Sequence, residues 1–201
     1  MAFDRPTVSS RLLVASTIAA LIVGLWPGVP APTRAATSVF INEIHYDNTG
    51  TDAGEAIEIA GPAGTDLTGW SLVLYNGATN TQYDSDPLSG LIPDQGNGFG
   101  TAVVTYPVNG IQNGSPDAIA LVNGLNVLVQ FLSYEGTVSA TSGPASGDTS
   151  VDIGVSEDGT EAIGTSLQLT GNGTSYEEFT WSTGHASTFG LPNAGQTFGT
   201  V

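Results

Sequence analysis

The 201-residue sequence predicts an all-β protein built as a two-layer sandwich, and three observations predict it. About nine short runs rich in Val, Ile, Leu, Thr and aromatic residues are separated by Gly, Asn, Asp and Pro. No heptad, no internal repeat and no amphipathic helix longer than two turns interrupts them. The composition agrees: there are 27 glycines, and charged residues make up only 11 %, against roughly 25 % in ordinary soluble domains.

The runs follow in order. Val39–Tyr46 and Glu55–Ala60 are strands flanking an oxygen-rich turn, Asp47–Gly54. Ile57 and Ile59 alternate with Ala56, Glu58 and Ala60, so one face is expected in the core with Glu58 toward water. The first run is less regular: either Glu43 and His45 or Asn42 follow its apolar residues inward, and any such group needs a hydrogen-bond partner. Gly61–Thr68 links to Gly69–Tyr75, where Trp70, Leu72 and Leu74 share one parity and are expected in the core. Asn76-Gly77 signals a tight hairpin returning through Thr81–Asp84. Pro87–Gly98 is loop, and Phe99–Tyr106 is a strand stopped by Pro107. Asp117–Val122 and Asn126–Tyr134 form a hairpin about Asn123-Gly124, with Ile119 and Leu121 facing Val127, Val129 and Phe131. Gly136–Gly147 is expected to be the most flexible stretch. Thr165–Thr170 and Tyr176–Ser182 are the last strands, and His185–Val201 is a coil-like tail tacked down by Phe189, Leu191 and Phe198.

Residues 1–35 read as a secretory signal peptide. Arg5 and Arg11 precede a fifteen-residue apolar run, Leu12–Trp26, and Thr33-Arg34-Ala35 suits cleavage after Ala35. The run is short for a membrane span, which needs about twenty residues. Residues 36–201 are then a single secreted, extracellular domain without cysteine. The absence of disulfides, unusual for an extracellular animal module, points to a bacterium. The only basic residues are Arg5, Arg11 and Arg34, whereas of the 19 acids only Asp4 precedes residue 36. Such a chain repels nucleic-acid backbones and anionic membranes, so direct nucleic-acid binding is not expected.

Several motifs together resemble the bacterial lamin-tail domain: INEI at Ile41–Ile44, GEAIEI at Gly54–Ile59, DLTGWSLVLYN at Asp66–Asn76, PDAIALVN at Pro116–Asn123 and VQFLSYEG at Val129–Gly136. DIGVSE at Asp152–Glu157, SLQLTGNG at Ser166–Gly173, FTW at Phe179–Trp181 and NAGQTF at Asn193–Phe198 extend the resemblance over nearly all of residues 36–201. It implies an immunoglobulin-like β-sandwich serving as a non-catalytic module. In similar bacterial proteins that module lies near the N-terminus of secreted nucleases or other large extracellular proteins. The resemblance carries over no catalytic residues.

His45 and His185 are the only histidines, and their spacing matches no zinc motif; no G-x-S-x-G elbow supplies a nucleophile. Glu43, Glu55, Glu58, Glu177 and Glu178 are the carboxylates open to a glycosidase-like pairing, with solvated strand faces as the plainer reading. Without Lys or Arg beyond residue 35, a buried carboxylate such as Glu43 must accept hydrogen bonds, carry a proton or bind a cation. Asp47, Asp52 and Glu55 offer the hard oxygen ligands calcium prefers, outside EF-hand spacing; Asp84/Asp86 and Glu157/Asp158 are weaker candidates. The expected function is an exported binding or positioning module, accessory to an extracellular nuclease system, with no cofactor other than calcium. The alternatives are a structural surface or matrix protein and, below it, a carboxylate-dependent hydrolase.

Overall fold

The computed structural model describes residues 36–199 together with Met1; the leader expected over residues 1–35 falls, Met1 apart, outside the described residues. Ala35–Val201 is one compact unit. Its strands are β1 (Phe40–His45), β2 (Ala56–Pro62), β3 (Ser71–Asn76), β4 (Thr81–Pro87), β5 (Phe99–Thr105), β6 (Asp117–Val122), β7 (Leu128–Tyr134), β8 (Val151–Asp152), β9 (Thr165–Gly173), β10 (Phe179–Ala186) and β11 (Gln196–Phe198). One sheet runs β10-β9-β1-β2-β5, with β11 added parallel to β9; the other runs β4-β3-β6-β7-β8. The all-β sandwich is therefore as expected.

The main core lies between the sheets, where Ile41, Ile44, Tyr46, Ile57 and Ile59 meet Leu72, Leu74, Ile119, Leu121, Leu132 and Tyr134. A bulge decides how β1 contributes. The register passes from Ile41↔Ile59 to Glu43↔Glu58, leaving Asn42 as the extra residue. Ile41 and Ile44 then both belong to the interior cluster, while Phe40 belongs to a separate outer one. Neither parity considered for an unbroken strand applies. The Ile41 N–H donates across the interior to Gln130 Oε1 at 2.8 Å.

Three expectations are overturned, two of them because both outer faces are covered. Glu58 does not face water: it is 0 % exposed, because the segment after β10 lies over the outer face of its sheet. Gly136–Gly147 is an ordered cover rather than a loose loop. Val138, Ala140 and Ala145 are buried against Val73, Tyr75, Ala118, Ala120, Val122 and Phe131, and Ala145 N donates to Tyr75 Oη at 3.0 Å. Trp70 precedes β3 and is only half-buried at the rim of the main core, whose floor is Leu72 and Leu74.

The turns also depart from simple hairpins. Between β6 and β7 the connection spans residues 123–127. Asn123 Oδ1 accepts from the N–H groups of Leu125 and Val127, and Asn126 carries the positive φ of 58°. A bulge at Leu121/Val122 pairs Ile119 with Leu132 and Leu121 with Gln130, so Phe131 points outward and Val127 is exposed, against expectation, while Val129 does pack on the cluster of Ile119 and Leu121. At Asn76-Gly77 the positive φ falls on Asn80, and Gly77 serves close approach instead: a Cβ there would sit 1.8 Å from the Pro116 carbonyl oxygen. Tyr176–Glu178 is a single 3₁₀ turn, and β10 begins at Phe179 and runs past His185, which is a strand residue rather than part of the tail.

Candidate functional site

Five connections converge on one end of the sandwich: 46–55, 77–80, 106–116, 135–150 and 153–164. Asp47, Asp52, Glu55, Asp117, Glu135, Asp148, Asp152, Glu157, Asp158 and Glu161 sit on them or at the adjoining strand ends, ten of the 18 acids beyond Asp4. No lysine or arginine lies among the described residues. Backbone N–H groups, one histidine and a few neutral side-chain donors meet these carboxylates instead.

Glu157 is the hub, although the sequence marks it only weakly. Its Oε1 contacts His45 Nδ1 at 2.8 Å, and its Oε2 accepts from the N–H groups of Tyr46 (2.7 Å) and Asp47 (2.9 Å). Its own N–H donates to Tyr46 Oη at 2.7 Å, and that hydroxyl donates to Glu135 Oε1 at 2.9 Å. Tyr46 stacks on Tyr134 with ring centroids 3.8 Å apart. Burial alone would lower the basicity of His45, but its hydrogen bond to Glu157 and that carboxylate's charge, with Asn48 beyond, raise it above the ordinary histidine value. His45 and Glu157 are both buried and form an ion pair when the imidazole is protonated.

Glu55 and Asp117 brace the 106–116 connection. Glu55 accepts from Gly110 N (2.8 Å) and Ile111 N (2.9 Å), one on each oxygen. Asp117 accepts from Gly77 N and Gly114 N, both at 2.8 Å. Beside them lies an open cleft of about 500 Å³ lined by Asp52, Asn76, Asn109, Gln112, Asn113 and Asp117. Asp52 accepts from Asn48 N and from Asn113 Nδ2, each at 3.2 Å. The Asp47 carboxyl is pushed up to about 6, first by burial and then by its contact with Asp52.

Of the three residues expected to hold calcium, the structure therefore brings Asp47 and Asp52 together, while Glu55 spends both oxygens on backbone amides. No group of three or more His, Cys, Asp or Glu among the described residues is arranged to hold a metal. Asn109, Gln112, Asn113 and Asp117 escaped the sequence reading as lining residues; the paired Asn109-Gly110 and Asn113-Gly114 steps mark only turns.

The other carboxylates lie elsewhere. Glu43 and Glu58 are cross-strand partners on the outer face of β1 and β2, each 0 % exposed. Glu177 accepts from Thr37 N and Oγ1, and Glu178 Oε2 from Thr174 N and Ser175 N. Asp84 and Asp86 are on edge strand β4. His185 contacts Ser182 Oγ at 2.9 Å, far along the chain from His45. No described helix is long and apolar enough to cross a membrane. No family model, curated protein or solved structure matches the chain.

Proposed function

We propose that residues 36–201 act as an exported, non-catalytic binding or positioning module, lamin-tail-like and immunoglobulin-like in build, whose acidic loop end is the contact surface. The observation that supports this reading most is the one-signed loop end itself: ten carboxylates, seven of them accepting from backbone N–H groups, around an open polar cleft. A partner docking there must bring positive charge, because the described residues supply no lysine or arginine. A basic protein segment meets that requirement and a phosphate backbone does not. An accessory role beside an extracellular nuclease would then run through contact with protein, not with DNA. Calcium is the second cationic ligand, favoured by the Asp47–Asp52 contact, whose mutual repulsion a cation would relieve.

The test is calorimetric titration with calcium and, separately, with an arginine-rich peptide at low and high salt. Saturable binding of either, lost when Asp47, Asp152 and Asp158 are changed to Asn, supports the reading. No binding of either, with melting unchanged by chelator, sinks it.

One observation favours the structural-protein alternative. The edge strands β5 (FGTAVVT) and β10 (FTWSTGHA) contain no Asp, Glu, Lys or Arg, and charged residues are a usual guard against edge-to-edge pairing. Sedimentation over a concentration series separates the two: a monomer throughout supports the binding module, and open-ended association supports the matrix protein.

A further inference from the structure

A second group of carboxylates lies away from the loop end and has no part in the proposed contact surface. Glu43 on β1 and Glu58 on β2 face each other across the ladder and are both fully buried. Four donors meet Glu43. Ser166 Oγ (2.6 Å), Gln168 Nε2 (3.1 Å) and Thr188 N (2.7 Å) reach Oε1, and Thr188 Oγ1 (3.0 Å) reaches Oε2. Glu58 Oε1 accepts from Asn42 Nδ2 at 2.8 Å, and its Oε2 accepts from Gly190 N at 2.6 Å. The donors Thr188 and Gly190 belong to the segment after β10, so the two carboxyls hold the middle of that segment's backbone. Its flanks are tied by Ser187 N to Gly164 O (2.9 Å) and by Gly171 N to Gly195 O (3.1 Å), and Gln95 Nε2 donates to Gly190 O (2.7 Å). Asn193 and Gln196 finish the attachment, donating to Asn42 O (2.9 Å) and Asn42 Oδ1 (2.6 Å). The bulged Asn42 is thus held from both sides.

Two buried carboxylates facing each other without a cation cannot both be ionised at low cost. The groups around them offer hydrogen bonds but no lysine or arginine to set against a second negative charge. The neighbouring strand β9 presents Ser166 and Gln168, β5 presents Thr101 and Val103, and the covering segment presents Thr188, Gly190, Asn193 and Gln196. On the adjoining strand positions, the titratable side chains are His185, opposite Ser166 on β10, and His45 two residues along β1, which is already bonded to Glu157.

We propose that Glu43 and Glu58 form a proton-dependent latch: with one proton on the pair they hold residues 187–196 against the first sheet, and loss of that proton in alkaline solution releases the segment. Glu58 is the protonated member. Burial, with the charge of Glu43 behind it, pushes its carboxyl up to about 8 against the pull of Asn42 and Gly190. Release would uncover Asn42, Gln168 and the two carboxylates without breaking the core between the sheets, because that core is built from the opposite faces of the same strands.

Hydrogen exchange of the Thr188 and Gly190 amides, corrected for intrinsic rate, tests this between about pH 6 and about pH 9.5, with β3 and β6 amides as the internal reference. The latch predicts a loss of protection on the order of tenfold or more at those two amides, with β3 and β6 unchanged. It also predicts that Glu58→Gln keeps the segment protected at the alkaline end; Glu43→Gln is the second variant should the first fail to fold. Constant protection in the wild type, or equal loss in the Gln variants, overturns it. Loss spread equally over β3 and β6 overturns it too, and restoration by added calcium would make the missing partner a cation instead of a proton.

Discussion

Replacing Glu157 by Ala removes the acceptor that organises the loop end, and its cost follows from the contacts. The carboxylate takes three donors at 2.7 to 2.9 Å, buried ones from His45 and Tyr46 and a partly buried one from Asp47. Water does not replace them, since Glu157, His45 and Tyr46 are each 1 % exposed or less. Stranding a buried donor costs about 1–3 kcal/mol, and breaking one side of a buried charged pair about 3–5 kcal/mol. These overlap, so the expected loss is about 4 kcal/mol, or roughly 8–16 °C in Tm for a domain of this size. Glu157→Gln retains one acceptor oxygen and should lose about half as much. Urea denaturation of the wild type, both variants, His45→Ala and the His45/Glu157 double variant measures the values and their coupling. A loss below about 1 kcal/mol for Glu157→Ala, or additivity in the cycle, would show that the hub is ornamental and that the stacked Tyr46–Tyr134 pair holds the end by itself.

Further outcomes follow from the same geometry. Stability should rise as pH falls from about 8 to about 5. Glu58 has a folded value of about 8 against roughly 4.3 when unfolded, so its contribution is full below the unfolded value and is lost as pH climbs toward the folded one, by at most about 1.4 kcal/mol per pH unit. His45 and Asp47, both raised, act with the same sign, and melting of Glu58→Gln should show a visibly shallower slope. Leu72→Ala, at the floor of the core, should cost about 2–5 kcal/mol, whereas half-buried Trp70→Ala should cost only about 1–2 kcal/mol; the reverse order in chemical denaturation would return Trp70 to the centre.

What the sequence made legible was local. Alternation located the strands between Val39 and Ser182 because each needs an apolar face, and the inward residues of β2 and β3 follow it directly. What escaped depends on partners far along the chain. The Asn42 bulge resets the parity of β1, and its anchors, Asn193 and Gln196, lie about 150 residues later. The Glu58 face looked solvated because alternation assumes one wet face, and only the returning C-terminal segment removes the water. Val138, Ala140 and Ala145 are separated by Ser, Thr, Gly and Pro, the composition of a loose loop, yet three small apolar side chains suffice to cover the β3–β6–β7 face. At the loop end the oxygen-rich turn was visible as residues 47–55, but Glu157, which fixes its entry, is 111 positions beyond Tyr46.

The lack of lysine and arginine gives the acids of this domain two distinct lives, and one substitution tells them apart. Asp117 is buried, and each of its oxygens accepts one backbone N–H, from Gly77 and from Gly114. An Asn of the same shape keeps one oxygen but turns an amide toward the other N–H, leaving a buried donor facing a donor. Asp117→Asn should therefore cost about 1–3 kcal/mol although it removes a negative charge from a strongly acidic surface. Asp158 is exposed and serves only its own turn, accepting from Thr160 N at 3.0 Å. Asp158→Asn should leave stability within about 0.5 kcal/mol, or improve it slightly by easing repulsion. If charge relief dominated the energetics of this end, both changes would stabilise. If the carboxylates are its scaffold, as their paired N–H contacts indicate, the two variants diverge, and parallel denaturation curves for Asp117→Asn and Asp158→Asn would refute that scaffold.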